Sequence, residues 1–111
     1  MRVPKFRAWW KKARMMINVA TIDFFEKEVK SYANTMYSFD EIELMQSTGL
    51  VDKNGKEIFE GDIVLIYGEK ISKVFYSQGS FCVDILNGGT PLHGFSSKQL
   101  EVIGNIWEDG E

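Results

Sequence analysis

A chain of 111 residues that is 44% hydrophobic and 26% charged has room for one ordinary domain or two very small units, and is too apolar to stay disordered. No apolar run approaches the roughly 18–20 residues of a membrane span, and the single cysteine, Cys82, excludes an intrachain disulfide. The net charge of −3 conceals an asymmetry: Arg2, Lys5, Arg7, Lys11, Lys12 and Arg14 give the first fourteen residues +6, and the remainder carries −9.

Residues 5–9 alternate, with Phe6 and Ala8 on one face and Lys5, Arg7 and Trp9 on the other, which predicts a strand. Met15 to Val19 predict a second strand, Lys11 to Arg14 being the connection, and Ile22, Phe24 and Phe25 can extend it. Residues 26–41 lack Pro and Gly and fit a short helix or a strand with loops equally well. Glu43 to Gln46 read as a short strand. Asp52-Lys53-Asn54-Gly55 is a strong turn signal, because Asn-Gly accepts left-handed backbone at little cost. Glu60-Gly61 gives a second tight bend.

Residues 62–67 are nearly all apolar and predict a central strand buried on both faces. After a turn at Gly68-Glu69 comes Ile71 to Tyr76, then a turn at 77–80. Phe81, Val83 and Ile85 next alternate with Cys82 and Asp84, a half-buried strand. Asn87 to Pro91 read as a loop, and 95–99 as one turn of 3₁₀ helix capped by Ser96 or Ser97. Glu101 to Trp107 form a last strand. Five short strands, tight turns and a one-turn helix before the final strand outline a small SH3-like barrel. The fold class is therefore mainly β, or α+β if 26–41 is helical. The expected division is a β-rich N-terminal segment, 1–43, and an SH3-like barrel, 44–111.

Chemistry-bearing constellations are sparse. His93 is the one histidine and Cys82 the one cysteine, so a nucleophilic pair rests on two singletons that are each far more often structural. The carboxylates at 40, 41 and 43, and at 60 and 62, lack calcium-loop spacing. Gly88-Gly89 has neither a Walker lysine nor a dinucleotide-binding context. No enzyme activity, metal or cofactor is expected. The basic first residues are followed by polar sequence rather than an apolar stretch, so no secretory leader is expected and the reading is cytoplasmic.

Three islands carry a resemblance: Lys5-Phe6-Arg7-Ala8-Trp9; the block Ile42 to Val64, especially Gln46 to Leu50, Asp52 to Ile58 and Glu60-Gly61-Asp62-Ile63-Val64; and Val102 to Glu108. In this order and spacing they resemble the YopX family of small phage and prophage proteins. The resemblance implies a phage or prophage origin, an SH3-like C-terminal part and a homo-oligomer, and brings no catalytic residues. Trp10, standing where a polar turn residue is expected, and residues 26–41 depart from the family pattern. Gly49, Gly55 and Gly61 supply turn freedom. Asp62 is placed to accept from a turn amide, Asn105 to bond backbone near a bulge at Gly104. Ile58, Ile63, Val102, Ile103 and Ile106 are core candidates.

The basic N-terminus is the segment with a functional reading. Its candidates are Arg7, Trp9, Trp10, Lys11, Lys12 and Arg14. Adjacent tryptophans on a strand point to opposite faces, so one is core and the other suggests an interface. The favoured reading is a non-enzymatic protein that self-associates or meets a phage or host protein, the cations facing a neighbour's acids. The less favoured one is a nucleic-acid-binding accessory protein, with cations on phosphate and aromatics on unpaired bases. On the first reading, Trp9→Ala with Trp10→Ala lowers the oligomeric state.

Overall fold

The alternation at the N-terminal end builds the first hairpin: β1 (Phe6–Trp10) pairs antiparallel with β2 (Met15–Asp23), Ala8 opposite Ile17 and Trp10 opposite Met15. The computed structural model describes residues 3–85 and 89–108. Among these, regular structure is β-strand and single 3₁₀ turns, with no α-helix, so the fold is mainly β. The chain separates into two compact units, Met1–Gln46 and Ser47–Glu111.

In the first unit β2 serves two partners in succession. Its first half pairs with β1 and its second with β3 (Glu28–Ser31), with a register shift between Val19 and Thr21. A shift of this kind bends a strand and curls the sheet. β3 pairs in turn with β4 (Met36–Ser38), so the open question over 26–41 resolves as a hairpin rather than a helix. A 3₁₀ turn, Phe39–Glu41, leads into β5 (Ile42–Val51), whose first half pairs with β1. Ala8, Val19, Val29, Tyr37 and Ile42 form the core, flanked by Phe6, Trp10, Ile17, Ile22, Phe39 and Leu44.

β5 is longer than the short strand expected. Gly49, at φ 83°, sits in the irregular stretch between Ser47 and Val51, where its second half pairs with β6 (Glu57–Phe59). Three residues are too few to show period-2 patterning, so β6 emerges only in the structure.

The second unit holds two three-stranded antiparallel sheets. In one, β7 (Asp62–Ile66) lies between β8 (Lys70–Lys73) and β12 (Leu100–Asn105). In the other, β10 (Ser80–Asp84) lies between β9 (Phe75–Ser77) and β11 (Gly89–Pro91). The core gathers Ile58, Val64, Ile66, Val74, Val83, Leu92 and Leu100. β7 is central, yet it is buried on one face only: Val64 and Ile66 point inward while Ile63 and Leu65 are half-buried. The expected loop at 87–91 is a strand from Gly89 onward, where Gly and Pro sit on a sheet edge that tolerates them; Asn87 and Gly88 lie outside the described residues. Ile103 and Ile106 are exposed rather than core. Ile103 sits in the bulge between Val102 and Gly104, and Ile106 lies in the turn beyond β12.

The β7–β8 hairpin closes through Ile66–Glu69, with the Glu69 N–H donating to the Ile66 carbonyl at 3.0 Å. Its two central residues, Tyr67 and Gly68, have φ of 56° and 71°, the conformation in which Asn-Gly is favoured. A bulky side chain there costs about 1–2 kcal/mol. The exposed edge contact of Tyr67 with Phe95, 5.8 Å between ring centres, returns about 0.5 kcal/mol. Tyr67→Asn is therefore expected to raise stability by about 0.5–1 kcal/mol, read as a higher urea midpoint.

Candidate interaction surface

The basic cluster distributes itself between interior and surface. β1 carries Arg7 and Trp9 on the face opposite Ala8, and both are buried, Arg7 at 8% and Trp9 at 4% exposure. Trp10, on the other face, is half-buried in the first core, its ring 5.0 Å from that of Tyr37 and tilted by 60°. Neither tryptophan thus stands clear of the protein as an interface aromatic would. Lys11, Lys12 and Arg14 form the exposed β1–β2 turn. Lys11 Nζ lies 3.6 Å from Glu43 Oε2, so part of the basic end is matched within the chain. The Arg14 guanidinium lies 5.8 Å from the centre of the Trp9 ring, a cation–π contact.

A second loop follows the other end of β2. Residues 24–27 join β2 to β3, and Phe24 and Phe25 on it are 71% and 90% exposed. The loop is held without glycine: Asp23 Oδ1 accepts the N–H of Phe25 at 3.0 Å and of Glu26 at 2.9 Å, and Lys27 takes a left-handed φ of 58°. The turn Phe39–Glu41 fastens the two loops together. At one end the Phe39 N–H donates to the Lys27 carbonyl at 2.9 Å, and at the other the Lys11 N–H donates to the Glu41 carbonyl at 3.1 Å. The turn is braced by Glu41 Oε1, which accepts the Ser38 N–H at 2.9 Å. Phe24 meets Phe39 edge-on at 6.2 Å. The two loops and this turn expose two phenylalanines, the cations Lys11, Lys12, Arg14 and Lys27, and the acids Glu26, Asp40 and Glu41. The phenylalanines escape a sequence reading because Phe24 and Phe25 look like the apolar continuation of β2. The signal that marks them is Asp23 before the pair and Glu26 after it.

A family model described as YopX protein matches residues 5–111. The chain belongs to the YopX family. A crystal structure of protein EF1440 from Enterococcus faecalis is similar over 100% of this chain and 98% of that one, at 30% identity and a TM-score of 0.74. No curated protein matches the chain.

The residues that carry the YopX resemblance prove to be fold determinants. Asp52 is buried, and its carboxylate holds three backbone amides: Oδ1 accepts from Asn54 and Lys56, each at 2.9 Å, and Oδ2 from Val102 at 2.8 Å. Burial pushes its pKa up, but the amides of Val102, Lys56 and Asn54 and the Lys56 charge outweigh it, and the net shift is downward. Asp62 Oδ2 accepts the Phe59 N–H at 2.8 Å. Asn105 Oδ1 accepts from Trp107 and Glu108 just after the Gly104 bulge. Elsewhere in this unit His93 is exposed and Cys82 buried. Among the described residues no three His, Cys, Asp or Glu side chains gather as a metal site would require, and no helix is long and apolar enough to cross a membrane.

Proposed function

We propose that this YopX-family chain is a non-enzymatic, phage- or prophage-encoded protein of the host cytoplasm. It acts through protein–protein contacts, including contacts between its own copies. The observation that carries this reading is the pair Phe24 and Phe25, bare on a loop fixed by hydrogen bonds. Exposed aromatics on an ordered loop bind with little loss of conformational freedom, which is how interface anchors act. Phage origin draws its support from the family resemblance. Light scattering over a concentration series tests self-association: a mass above that of one chain is expected, and a single-chain mass throughout would count against it.

Nucleic-acid binding is the second reading, supported by the exposed cations Lys12 and Arg14. The burial of Trp9 and the packing of Trp10 on Tyr37 withdraw the two tryptophans of the basic segment from base stacking. Binding of generic oligonucleotides across a salt series decides between the two. A log-linear loss of affinity with salt, abolished by charge reversal at Lys11 and Lys12, belongs to the second reading.

A further inference from the structure

We propose that the cleft between the tip of the β7–β8 hairpin and the Asp52–Gly55 turn is a binding site for a small monoanion, a carboxylate carried on a flat or apolar group. The cleft lies wholly within the second unit, and the proposal does not depend on self-association. Its volume is about 110 Å³, and its lining includes Leu65, Tyr67, Lys53, Lys98 and Glu101.

The residues that enter β12 hold the cleft in shape. The Tyr67 N–H donates to the Gln99 carbonyl and the Lys53 N–H to the Leu100 carbonyl, each at 2.9 Å. The aromatic side and one cationic side are therefore fixed through neighbouring residues of one segment. Lys98 comes from the 3₁₀ turn Ser97–Gln99 just before it. That turn is braced by Gln99 Oε1, which accepts the Ser96 N–H at 2.9 Å.

Charge selects the sign and the valence of the ligand. Two cations, Lys53 and Lys98, line the cleft against one acid, Glu101, whose Oε1 lies 3.4 Å from Lys53 Nζ. The next charges along the chain cancel: Glu69 against Lys70 on the hairpin, and buried Asp52 against Lys56 in the turn. One positive charge is left over. A carboxylate balances it, whereas the second charge of a phosphate dianion would meet Glu101. Size limits what is enclosed. A cavity of roughly 150 Å³ holds a benzene ring, so this smaller, open cleft takes the charged head and leaves the rest of the ligand against Tyr67.

Tyr67 is an independent sign of function. It holds a φ of 56° on the hairpin turn, where asparagine would be relaxed, and its side chain is exposed. Backbone strain of this kind gathers at ligand clamps. The edge-on contact with Phe95, at 67° between the ring planes, sets the orientation of the ring without covering it. The chain thus keeps a bulky ring at the rim of the cleft against the preference of its own backbone.

The test titrates the ¹⁵N-labelled full chain with benzoate and with N-acetylphenylalanine and follows the backbone amides by NMR. Saturable shifts are expected at Tyr67, Gly68 and Lys98 to Glu101, with a dissociation constant of about 1 mM. The corresponding amides, benzamide and N-acetylphenylalaninamide, lack the charge and should bind about tenfold more weakly or worse. Lys98→Met should weaken the two acids about tenfold. Tyr67→Asn should weaken them about fivefold while raising the urea midpoint, a split that a purely structural ring would not give. Benzoate binding tighter than N-acetylphenylalanine assigns the site to free small acids, and the reverse order assigns it to the end of a peptide chain. Equal binding of acids and amides, tighter binding of inorganic phosphate, full affinity in either variant, or shifts confined to other residues overturns the site. So does the absence of saturation at concentrations about fiftyfold above the expected constant.

Discussion

Asp52→Ala is expected to cost about 3–5 kcal/mol of stability, because it orphans several buried backbone donors at once. The carboxylate is 2% exposed and accepts the N–H groups of Asn54, Lys56 and Val102. Two of these close the turn in which Asp52 itself pairs with Lys56 and Gly55 through backbone. The third reaches fifty residues along the chain to β12, so one side chain fixes both a local turn and a long-range register. Asp52→Asn keeps the shape but must turn an amide N–H₂ toward one of those donors, and about 1–2 kcal/mol is the expected loss. Urea unfolding of the two variants against the native chain measures both values.

The same carboxylate gives stability a pH dependence of definite sign. Its folded pKa lies below the ordinary 3.8, the amide hydrogen bonds and the Lys56 charge outweighing burial. A depressed pKa means that the folded state binds the proton less readily than the unfolded chain. The stabilisation is therefore fully present above the unfolded carboxylate range, and is lost as pH falls through the folded value, below about pH 4. Across that window the native protein should lose stability more steeply than Asp52→Asn, whose side chain does not titrate.

What could be read from the chain beforehand divides along physical lines. Asp52 to Gly55 is a local signal that the structure uses as read; of the two serines read as caps it uses Ser96, and the alternation at Phe81, Val83 and Ile85 holds in part, since Cys82 on the other face is buried too. Residues 26–41 were opaque because their turns contain neither Gly nor Pro. Lys27 and Asn34 take the left-handed backbone there, and Ser31 Oγ accepts the N–H groups of Ala33 and Thr35. Ile103 and Ile106 misled for another reason: one sits in a bulge and the other in the turn after β12, and a period-2 reading foresees neither. The contact surface was half legible. Its basic turn stands out in the charge pattern, whereas the loop with Phe24 and Phe25 is tied to it only through the Phe39–Glu41 turn, whose two hydrogen bonds no spacing rule announces.

Trp9→Ala is expected to lower stability by about 3–5 kcal/mol, the cost of emptying a buried aromatic site. At 4% exposure the indole is as enclosed as many core residues, and Arg14 lies over its ring. Pairing it with Trp10→Ala would also remove the ring contact to Tyr37. A fall in oligomeric mass in that double variant would then report unfolding of the N-terminal unit rather than loss of an interface. Phe25→Ser makes the opposite case: at 90% exposure it should move stability by no more than about 0.5 kcal/mol and change only the mass. Denaturation followed by circular dichroism alongside light scattering separates the two. If Trp9→Ala left the unfolding midpoint in place, the indole would have to be at the surface, and the tryptophan pair would return as the interface.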